Sequence, residues 1–415
     1  MQPYQFINHI INDEISSEFL EFVRFRFPDN IRFDHDLFIE RLENGVHYKK
    51  RISGEKLPVP RYMRETNATL ETVPDYYAYA MIQHHSQGIL TGAPQNNNYC
   101  YYTNKWLDMN PQCCEETLPR NTGVPVFIEH QWEPIYYNLD KIFWDGVKLW
   151  QDHLQNDHFV LHSEYNSWDI KKLNELGIKD IHWFAHAYLC SEFYFKHYQK
   201  LKMVIDYKAR PIQHRWVCAN RLIDGPRQYR LDFLNCIDTS KGTYSLLDKD
   251  PYTNRTLEEI YPKNQVKPQS FDDHCNDSAK IKVDDLTPWN TSFLHVVSET
   301  VWQDKIHFTE KVFKPIVLHQ PFVVLQAPGS LAYLRSYGFK TFGDWWDESY
   351  DNIQDPQLRM QAIADIVNAI GNKSLEELET MRMEMASVLE HNFRHFYENI
   401  PAICLDELRK GIANL

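Results

Sequence analysis

One stretch, residues 293–325, most constrains what this chain can fold into. It opens with an apolar run at 293–297, whose composition is typical of a buried strand. Apolar side chains at helical spacing follow over 312–317, and a second apolar run occupies 321–325. Because a strand, a helix and a strand in this order form a parallel unit, the stretch predicts an α/β domain. Ligands of such domains bind beyond the carboxyl ends of the strands.

Polar side chains stand where this strand should end and where the helix should begin. Ser298 and Glu299 follow the strand, and Thr309, Glu310 and Lys311 open the helix. Thr309 is the expected N-cap of that helix. Carboxylates accept hydrogen bonds from vicinal hydroxyls, and a lysine beside backbone N–H groups suits a phosphate. The pattern therefore predicts a site for a polyhydroxylated ligand that carries phosphate.

The same alternation of strands and helices recurs along the chain from about residue 121. Apolar runs at 124–128, 159–161 and 181–185 are separated by amphipathic segments, and further strands are expected at 215–219 and 242–246. A chain of 415 residues is too long for one hydrophobic core. The predicted fold class is therefore α/β, with two Rossmann-like domains and a cleft between them.

Domain boundaries follow from shifts in this pattern. We expect an N-terminal α/β domain over 1–207, with an irregular region at 28–120 where prolines and polar runs replace long periodic segments. A second domain is expected over 208–385, including a short strand at 338–342. The helical segment 386–415 is expected to cross back and pack on the N-terminal domain.

Composition and charge narrow the possible partners. A formal net charge of −13 disfavours nonspecific binding to nucleic acid or to a membrane surface. No apolar run approaches the length of about 18 residues that a membrane span needs, and the N-terminus has no signal-peptide pattern. The eight cysteines show no CxxC spacing and are expected to be reduced thiols. A cytoplasmic protein is expected.

Familiar cofactor and metal motifs are missing from the sequence. It contains no GxGxxG and no GxxxxGK[ST], which argues against dinucleotide and P-loop enzymes. Its histidines show no HExxH or comparable ligand spacing. We therefore expect no metal and no cofactor.

Two elements of the sequence resemble a known family. Residues 292–315 combine an apolar strand, a Glu-containing turn, a short linker, and an aromatic residue followed by Thr-Glu-Lys. A basic element lies upstream, comprising Asn220, Arg221, Arg227 and Arg230. In order and spacing these elements resemble the donor-site motif and the Asn-Arg element of family 10 fucosyltransferases, over roughly residues 215–330. The family has a Glu-Asn-Ser turn where this sequence has Glu299 followed by Thr300.

The resemblance implies a nucleotide-sugar glycosyltransferase of the two-Rossmann-domain (GT-B) type, inverting and independent of metal, with the donor bound in the 208–385 domain. Glu310 would hold the ribose hydroxyls, and Lys311 and Arg221 would neutralise the diphosphate leaving group, on which charge grows as the glycosidic bond breaks. Without the resemblance, Glu310 would simply be a helix N-terminal acid, and Arg221 half of an ion pair. The full set of implied donor-binding residues is Asn220, Arg221, Arg227, Arg230, Ser298, Glu299, Thr309, Glu310 and Lys311.

An inverting enzyme also needs a general base within hydrogen-bond reach of the acceptor hydroxyl. The N-terminal domain should supply it, together with the site for a glycan or other hydroxyl acceptor. Strand-end polar residues are the candidates: Glu164, which has the most polar neighbourhood, then Glu129, and third His186.

Two other functions fit the same sequence. One is a glycosyltransferase that sugars hydroxymethylated bases in DNA, as some bacteriophage enzymes do. It predicts a positive cleft around residues 196–230, where nine lysines and arginines concentrate against an acidic background. The other is a non-catalytic protein that binds a nucleotide sugar without turnover.

Overall fold

The computed structural model describes residues 126–129, 134–138, 141–154, 158–188, 190–191, 207–250, 254–271 and 286–413. The irregular region predicted at 28–120 lies outside these residues. No helix among them is both long enough and apolar enough to span a bilayer. Their four cysteines, Cys190, Cys218, Cys236 and Cys404, are free thiols.

The chain divides into two compact units. The first contains the described residues up to 188 together with 402–413, and the second is Cys190–Pro401. The sequence pattern predicts a boundary between residues 207 and 208, whereas this division falls between 189 and 190.

The first unit contains a parallel sheet with the strand order β1-β2-β3. Its strands and the two helices between them are β1 (Val126–Glu129), α1 (Lys141–Leu154), β2 (His158–His162), α2 (Trp168–Glu175) and β3 (Lys179–His182). Helix α2 begins after Ser167, whose side chain accepts from the Ile170 N–H. It ends before Gly177, whose φ of +84° is the left-handed conformation that glycine adopts after a helix.

The second unit is built on a parallel sheet with the order β5-β4-β6-β7. Its strands are β4 (His214–Ala219), β5 (Thr243–Ser245), β6 (Ser292–Ser298) and β7 (Phe322–Leu325). All seven residues of β6 are buried, as a continuous apolar run in a doubly covered parallel sheet requires. The fold class is therefore mixed α/β with parallel sheets, consistent with the Rossmann-like prediction.

Helices surround this second sheet and continue to the end of the chain. They are α3 (Tyr229–Leu234), α4 (Leu257–Ile260), α5 (Thr287–Asn290), α6 (Glu310–Val317), α7 (Ser330–Ser336), α8 (Pro356–Gly371), α9 (Leu375–Glu384), α10 (Ala386–Glu398) and α11 (Ile400–Ala413). The stripe of apolar residues over 374–398 predicts one helix, but Met385 separates α9 from α10. Its ψ of −7° is far from the helical value, which interrupts the regular helix there.

The strand order changes direction at β4, which has the later strand β6 on one side and β5 on the other. In an open parallel sheet, the carboxyl ends of two strands at such a point frame a crevice where ligands bind. Here these ends lead into Asn220 after β4 and into Glu299 after β6.

The backbone at 338–342 is not a strand, contrary to the prediction. Instead of pairing with a neighbouring strand, Lys340 donates its N–H to the Asn392 side-chain oxygen at 2.8 Å and accepts from the Asn392 amide at 2.9 Å. One side chain of α10 thus takes the place of a strand partner.

The C-terminal segment that belongs to the first unit begins at residue 402, later than the predicted start at residue 386. Helix α10 packs on α6 within the second unit, where Phe396 stacks on Phe313 with ring centroids 5.1 Å apart. Only the chain from Ala402 onward belongs to the first unit. There Glu407 of α11 accepts from the Phe184 N–H at 2.7 Å and lies 3.1 Å from His182 Nδ1. The apolar stripe of α10 is therefore core of the second unit.

Candidate functional site

The crevice between β4 and β6 begins with Asn220, which is fully buried. Its N–H donates to Ser245 Oγ at 2.9 Å, and its Nδ2 donates to Cys218 Sγ at 3.3 Å. Cys218 Sγ lies 3.5 Å from Ser298 Oγ, which joins the ends of the two strands. The Oδ1 atom of Asn220 is buried and accepts no hydrogen bond from the residues that the structure describes. An acceptor is thus available at the switch point.

Glu299 is a fully buried carboxylate directly after β6. It accepts hydrogen bonds from the Thr300 N–H at 3.2 Å, the Thr309 N–H at 3.1 Å and the Thr309 hydroxyl at 2.7 Å. Burial raises the pKa of Glu299, against the opposing effects of the Lys311 charge and the Thr309 hydrogen bonds. Through the two Thr309 hydrogen bonds, Glu299 fixes the start of α6.

Lys311 is 7% exposed and lies beside Glu299. Its Nζ donates to Thr309 Oγ1 at 2.9 Å, Thr300 Oγ1 at 3.2 Å and Glu310 Oε1 at 2.9 Å. Burial lowers the pKa of Lys311, but the Glu310 and Glu299 carboxylates outweigh it and raise the pKa overall. A permanently charged ammonium is therefore held at the carboxyl edge of the sheet.

The predicted helix start is confirmed. Thr309 has extended backbone angles and its side chain accepts from the Lys311 N–H, so it is the N-cap of α6. Glu310 is the first residue of the helix, and its side chain is 12% exposed. Five of the predicted site residues therefore lie at the end of β6 or at the start of α6, on either side of the linker that joins them. They are Ser298, Glu299, Thr309, Glu310 and Lys311.

Arg230, one of the predicted donor-binding residues, is bonded to backbone carbonyls in the structure. Its guanidinium donates to the Leu222 carbonyl at 3.0 Å and to the Glu299 carbonyl at 2.8 Å. A further contact reaches the Ser298 carbonyl at 3.3 Å. The side chain is 3% exposed. Since these carbonyls already use the guanidinium, Arg230 holds the two strand ends together.

The neighbouring arginines are placed differently. Arg221 follows Asn220 directly and is half-buried. Arg227 ends a 3₁₀ turn, Gly225–Arg227, is also half-buried, and makes no ion pair within the described chain. The loop that carries them is fixed by Asp250, whose carboxylate accepts from the Ile223 N–H at 3.2 Å.

The basic cluster expected around 196–230 does not form one surface among the described residues. Arg210 and Arg215 lie at the amino end of β4, whereas Arg221 and Arg227 follow its carboxyl end. Arg210 donates to the Asn290 side chain at 3.2 Å, and Arg215 donates to the Lys373 carbonyl at 3.4 Å. The lysines at 196, 200 and 202 lie outside the described residues.

In the first unit, Glu164 follows strand β2 and is 2% exposed. Its Oε1 accepts from the Ile135 N–H, and its own N–H donates to His162 Nδ1 at 3.1 Å. His162 Nε2 is in turn 3.1 Å from Asp180 Oδ2. Burial lowers the pKa of His162, so a neutral imidazole fixes the Glu164 backbone.

The other two base candidates also follow or end strands of this sheet. Glu129 is the last residue of β1 and is paired with Leu161 of β2. His186 is buried in the helical residues 185–188 that come after β3. The contribution of Asp180 was missed from sequence because its contact to His162 joins two strands and leaves no local pattern.

Two adjacent tryptophans, Trp345 and Trp346, have separate environments. Trp346 is buried, with its ring 5.3 Å from that of Phe342. Trp345 donates to Glu384 at 3.4 Å and lines an open cavity of about 480 Å³ in which four of the other eight lining residues are acidic. Within the described chain, no group of three or more His, Cys, Asp or Glu side chains is arranged to hold a metal ion.

Comparison with known proteins gave no significant match to a family model, to a curated protein or to a solved structure.

Proposed function

We propose that this chain is a GT-B-type glycosyltransferase that transfers a sugar from a nucleoside-diphosphate sugar to an acceptor hydroxyl, with inversion and without a metal. The observation that carries the proposal is the cluster of buried Glu299, buried Lys311 and partly exposed Glu310 at the switch point of the β5-β4-β6-β7 sheet. A lysine charge at the edge where parallel sheets bind ligands suits the negative charge of a diphosphate.

The cluster suggests how the donor would be received. The Lys311 ammonium donates to Glu310 Oε1 at 2.9 Å. A diphosphate carries more negative charge than one carboxylate and would replace Glu310 as the partner of Lys311. Glu310 would then accept hydrogen bonds from the ribose hydroxyls. The ammonium would stabilise the charge that develops on the leaving group.

A second cation would come from the β4 side of the crevice. Arg221 and Arg227 follow β4, and Arg227 makes no ion pair within the described chain. Two cations on opposite sides of a diphosphate supply the charge stabilisation that many transferases obtain from a divalent metal. The buried Oδ1 of Asn220, which has no hydrogen-bond partner among the described residues, would accept from a hydroxyl of the donor.

The base that deprotonates the acceptor hydroxyl would come from the first unit. Glu164 remains our first choice for the base. It follows the central strand β2, and its backbone N–H is held by His162. Glu129 and His186 are the alternatives. For Glu164 to act, the acceptor must reach a side chain that is 2% exposed in this structure.

Binding of the donor is tested by thermal shift and calorimetry with a panel of UDP-, GDP-, CMP- and dTDP-sugars. Lys311→Met should abolish the shift given by the preferred nucleotide sugar. Lys314→Met is the matched control: Lys314 is also buried in α6, but its Nζ lies 4.8 Å from the centre of the Trp289 ring. The control should lose stability and keep donor affinity.

Three outcomes separate the possible functions. No binding of any nucleotide sugar at millimolar concentration would refute the proposal. Binding without release of nucleoside diphosphate, with acceptors supplied, would indicate a non-catalytic binding protein. Turnover that requires hydroxymethylated DNA would identify the DNA-modifying alternative.

A further inference from the structure

Four buried side chains form a continuous stack beside the crevice, which we call the cation–aromatic ladder: Arg230, Tyr229, Trp302 and Arg359. The Tyr229 and Trp302 rings are stacked with centroids 5.3 Å apart and an interplanar angle of 11°. The Arg359 guanidinium lies 4.2 Å from the Trp302 centroid. Both guanidiniums are nearly inaccessible, Arg230 at 3% and Arg359 at 1% exposure. Such contacts strengthen when they are desolvated.

The ladder also holds the backbone that leaves strand β6. The Tyr229 hydroxyl donates to the Glu299 carbonyl, to which Arg230 donates as well at 2.8 Å. The carbonyl of Trp302, three residues after Glu299, accepts from Arg359 at 3.0 Å. A second guanidinium nitrogen of Arg359 donates to the Ile353 carbonyl at 2.8 Å, ahead of helix α8. Both ends of the turn 299–302 are therefore bonded to neighbouring helices or loops.

This turn determines where the Glu299 carboxylate points. That carboxylate holds both the N–H and the hydroxyl of Thr309, the N-cap of α6. Thr309 Oγ1 in turn accepts from the Lys311 ammonium at 2.9 Å. A displacement of the turn would be passed on through Glu299 to Lys311. An apolar side chain could fill the volume of Arg359, but it could not fix two carbonyls from different loops.

We propose that Arg359 and Trp302 are positioning residues for the donor site. They act through Glu299 and hold the first turn of α6 in the geometry that receives the diphosphate. This inference rests on the proposed function, since it concerns how the same site is preorganised. Neither residue follows from the family-like motif, and neither contacts Glu310 or Lys311 by a hydrogen bond.

The test compares stability with nucleotide affinity in purified full-length variants, using GDP and UDP as calorimetric probes. Arg359→Met removes one guanidinium that donates to carbonyls. Arg382→Met is the matched control, because Arg382 is 5% exposed and donates to the Arg210 carbonyl at 2.7 Å, near the amino end of β4. Both variants should melt at lower temperature. Only Arg359→Met should weaken binding of the preferred nucleotide, by about tenfold.

A second pair keeps the test decisive if Arg359→Met does not fold. Trp302→Phe preserves an aromatic ring between Tyr229 and Arg359 and should bind within about threefold of wild type. Trp302→Leu removes the stack and should bind about tenfold more weakly. Equal affinities for the Phe and Leu variants, or equal losses in Arg359→Met and Arg382→Met, would overturn the inference. If wild type binds neither GDP, UDP nor any sugar of the panel, the proposed function fails, and the inference with it.

Discussion

The Thr309 hydroxyl donates to the Glu299 carboxylate at 2.7 Å, so the residue that follows strand β6 holds the residue that caps helix α6. The two are ten positions apart, with the linker between them. Thr309 thus has two structural duties, as the helix cap and as a partner of a buried acid.

Thr309→Val should therefore lower the free energy of unfolding by more than the loss of an ordinary helix cap does. A lost N-cap costs about 1 kcal/mol, and a buried acid deprived of a partner costs about 1–3 kcal/mol more. We expect a decrease of about 2–4 kcal/mol in the free energy of unfolding, measured by urea denaturation. Thr309→Ser keeps the hydroxyl and should therefore retain most of the wild-type stability. Equal destabilisation by Val and Ser would show that the hydroxyl contributes nothing.

Arg227 and Arg230 are three residues apart but should respond in opposite ways. Arg230→Met deprives three backbone carbonyls of a buried donor, so a loss of about 2–4 kcal/mol in unfolding free energy is expected. Arg227→Met should change stability by less than about 0.5 kcal/mol, since its side chain is half-buried and has no ion pair in the described chain.

The Arg227→Met variant also tests the proposed donor site. Calorimetry of Arg227→Met should show nucleotide affinity reduced by about tenfold, because one cation facing the diphosphate is removed. Wild-type affinity in Arg227→Met would remove this arginine from the proposed site.

His319 should make stability sensitive to acid. Its ring is stacked between Tyr207, at 4.6 Å, and Phe393, at 4.3 Å. Burial lowers the pKa of His319 from 6.5 to about 4; the Glu390 carboxylate opposes this, while the Arg210 and Lys208 charges add to it. The unfolded chain therefore binds a proton at higher pH than the folded one. Stability from this group is present above about pH 6.5 and lost as the pH falls through about 4.

A substitution isolates that contribution. His319 has a φ of +49°, which asparagine tolerates, so His319→Asn is the appropriate variant. It should be less stable than wild type at pH 7 because the stacking is lost. The difference should shrink by about 3 kcal/mol between about pH 7 and about pH 4 in urea denaturation. A difference that stays constant with pH would mean that His319 does not titrate in this range.

Duplex DNA should bind weakly and without a steep dependence on salt. The net charge is −13, and the arginines before and after β4 lie at opposite ends of that strand. A protein that neutralises six to ten phosphates loses about 10³–10⁵ in affinity between 50 and 200 mM salt. Filter binding across that range checks the prediction. A loss of that size would restore the DNA-modifying alternative.

Local signals account for what the sequence predicted well. The apolar run at 293–297 became β6, and Thr309 became the cap of α6, because composition and capping chemistry act within a few residues. The parallel arrangement was also predictable from the alternation of strands and helices.

Contacts between distant segments account for what was missed. The hydrogen bonds from Arg230 to the carbonyls of residues 298 and 299 could not be foreseen, because no local pattern shows them. Residues 338–342 have a strand-like composition, but Asn392, far along the chain, satisfies the backbone of Lys340. Such pairings depend on the tertiary fold and leave no periodicity to read.

The strand order has a consequence for how the chain folds. Strand β4 lies inside the sheet, and one of its two neighbours is β6. In this pair His214 lies opposite Ser292, a residue about 80 positions later in the chain. At about 5–20 residues per second of synthesis, one edge of β4 stays without its neighbour for several seconds. The second unit should therefore fold slowly, and only after β6 has left the ribosome. Truncations that end before residue 292 should leave the apolar strand β4 open to aggregation.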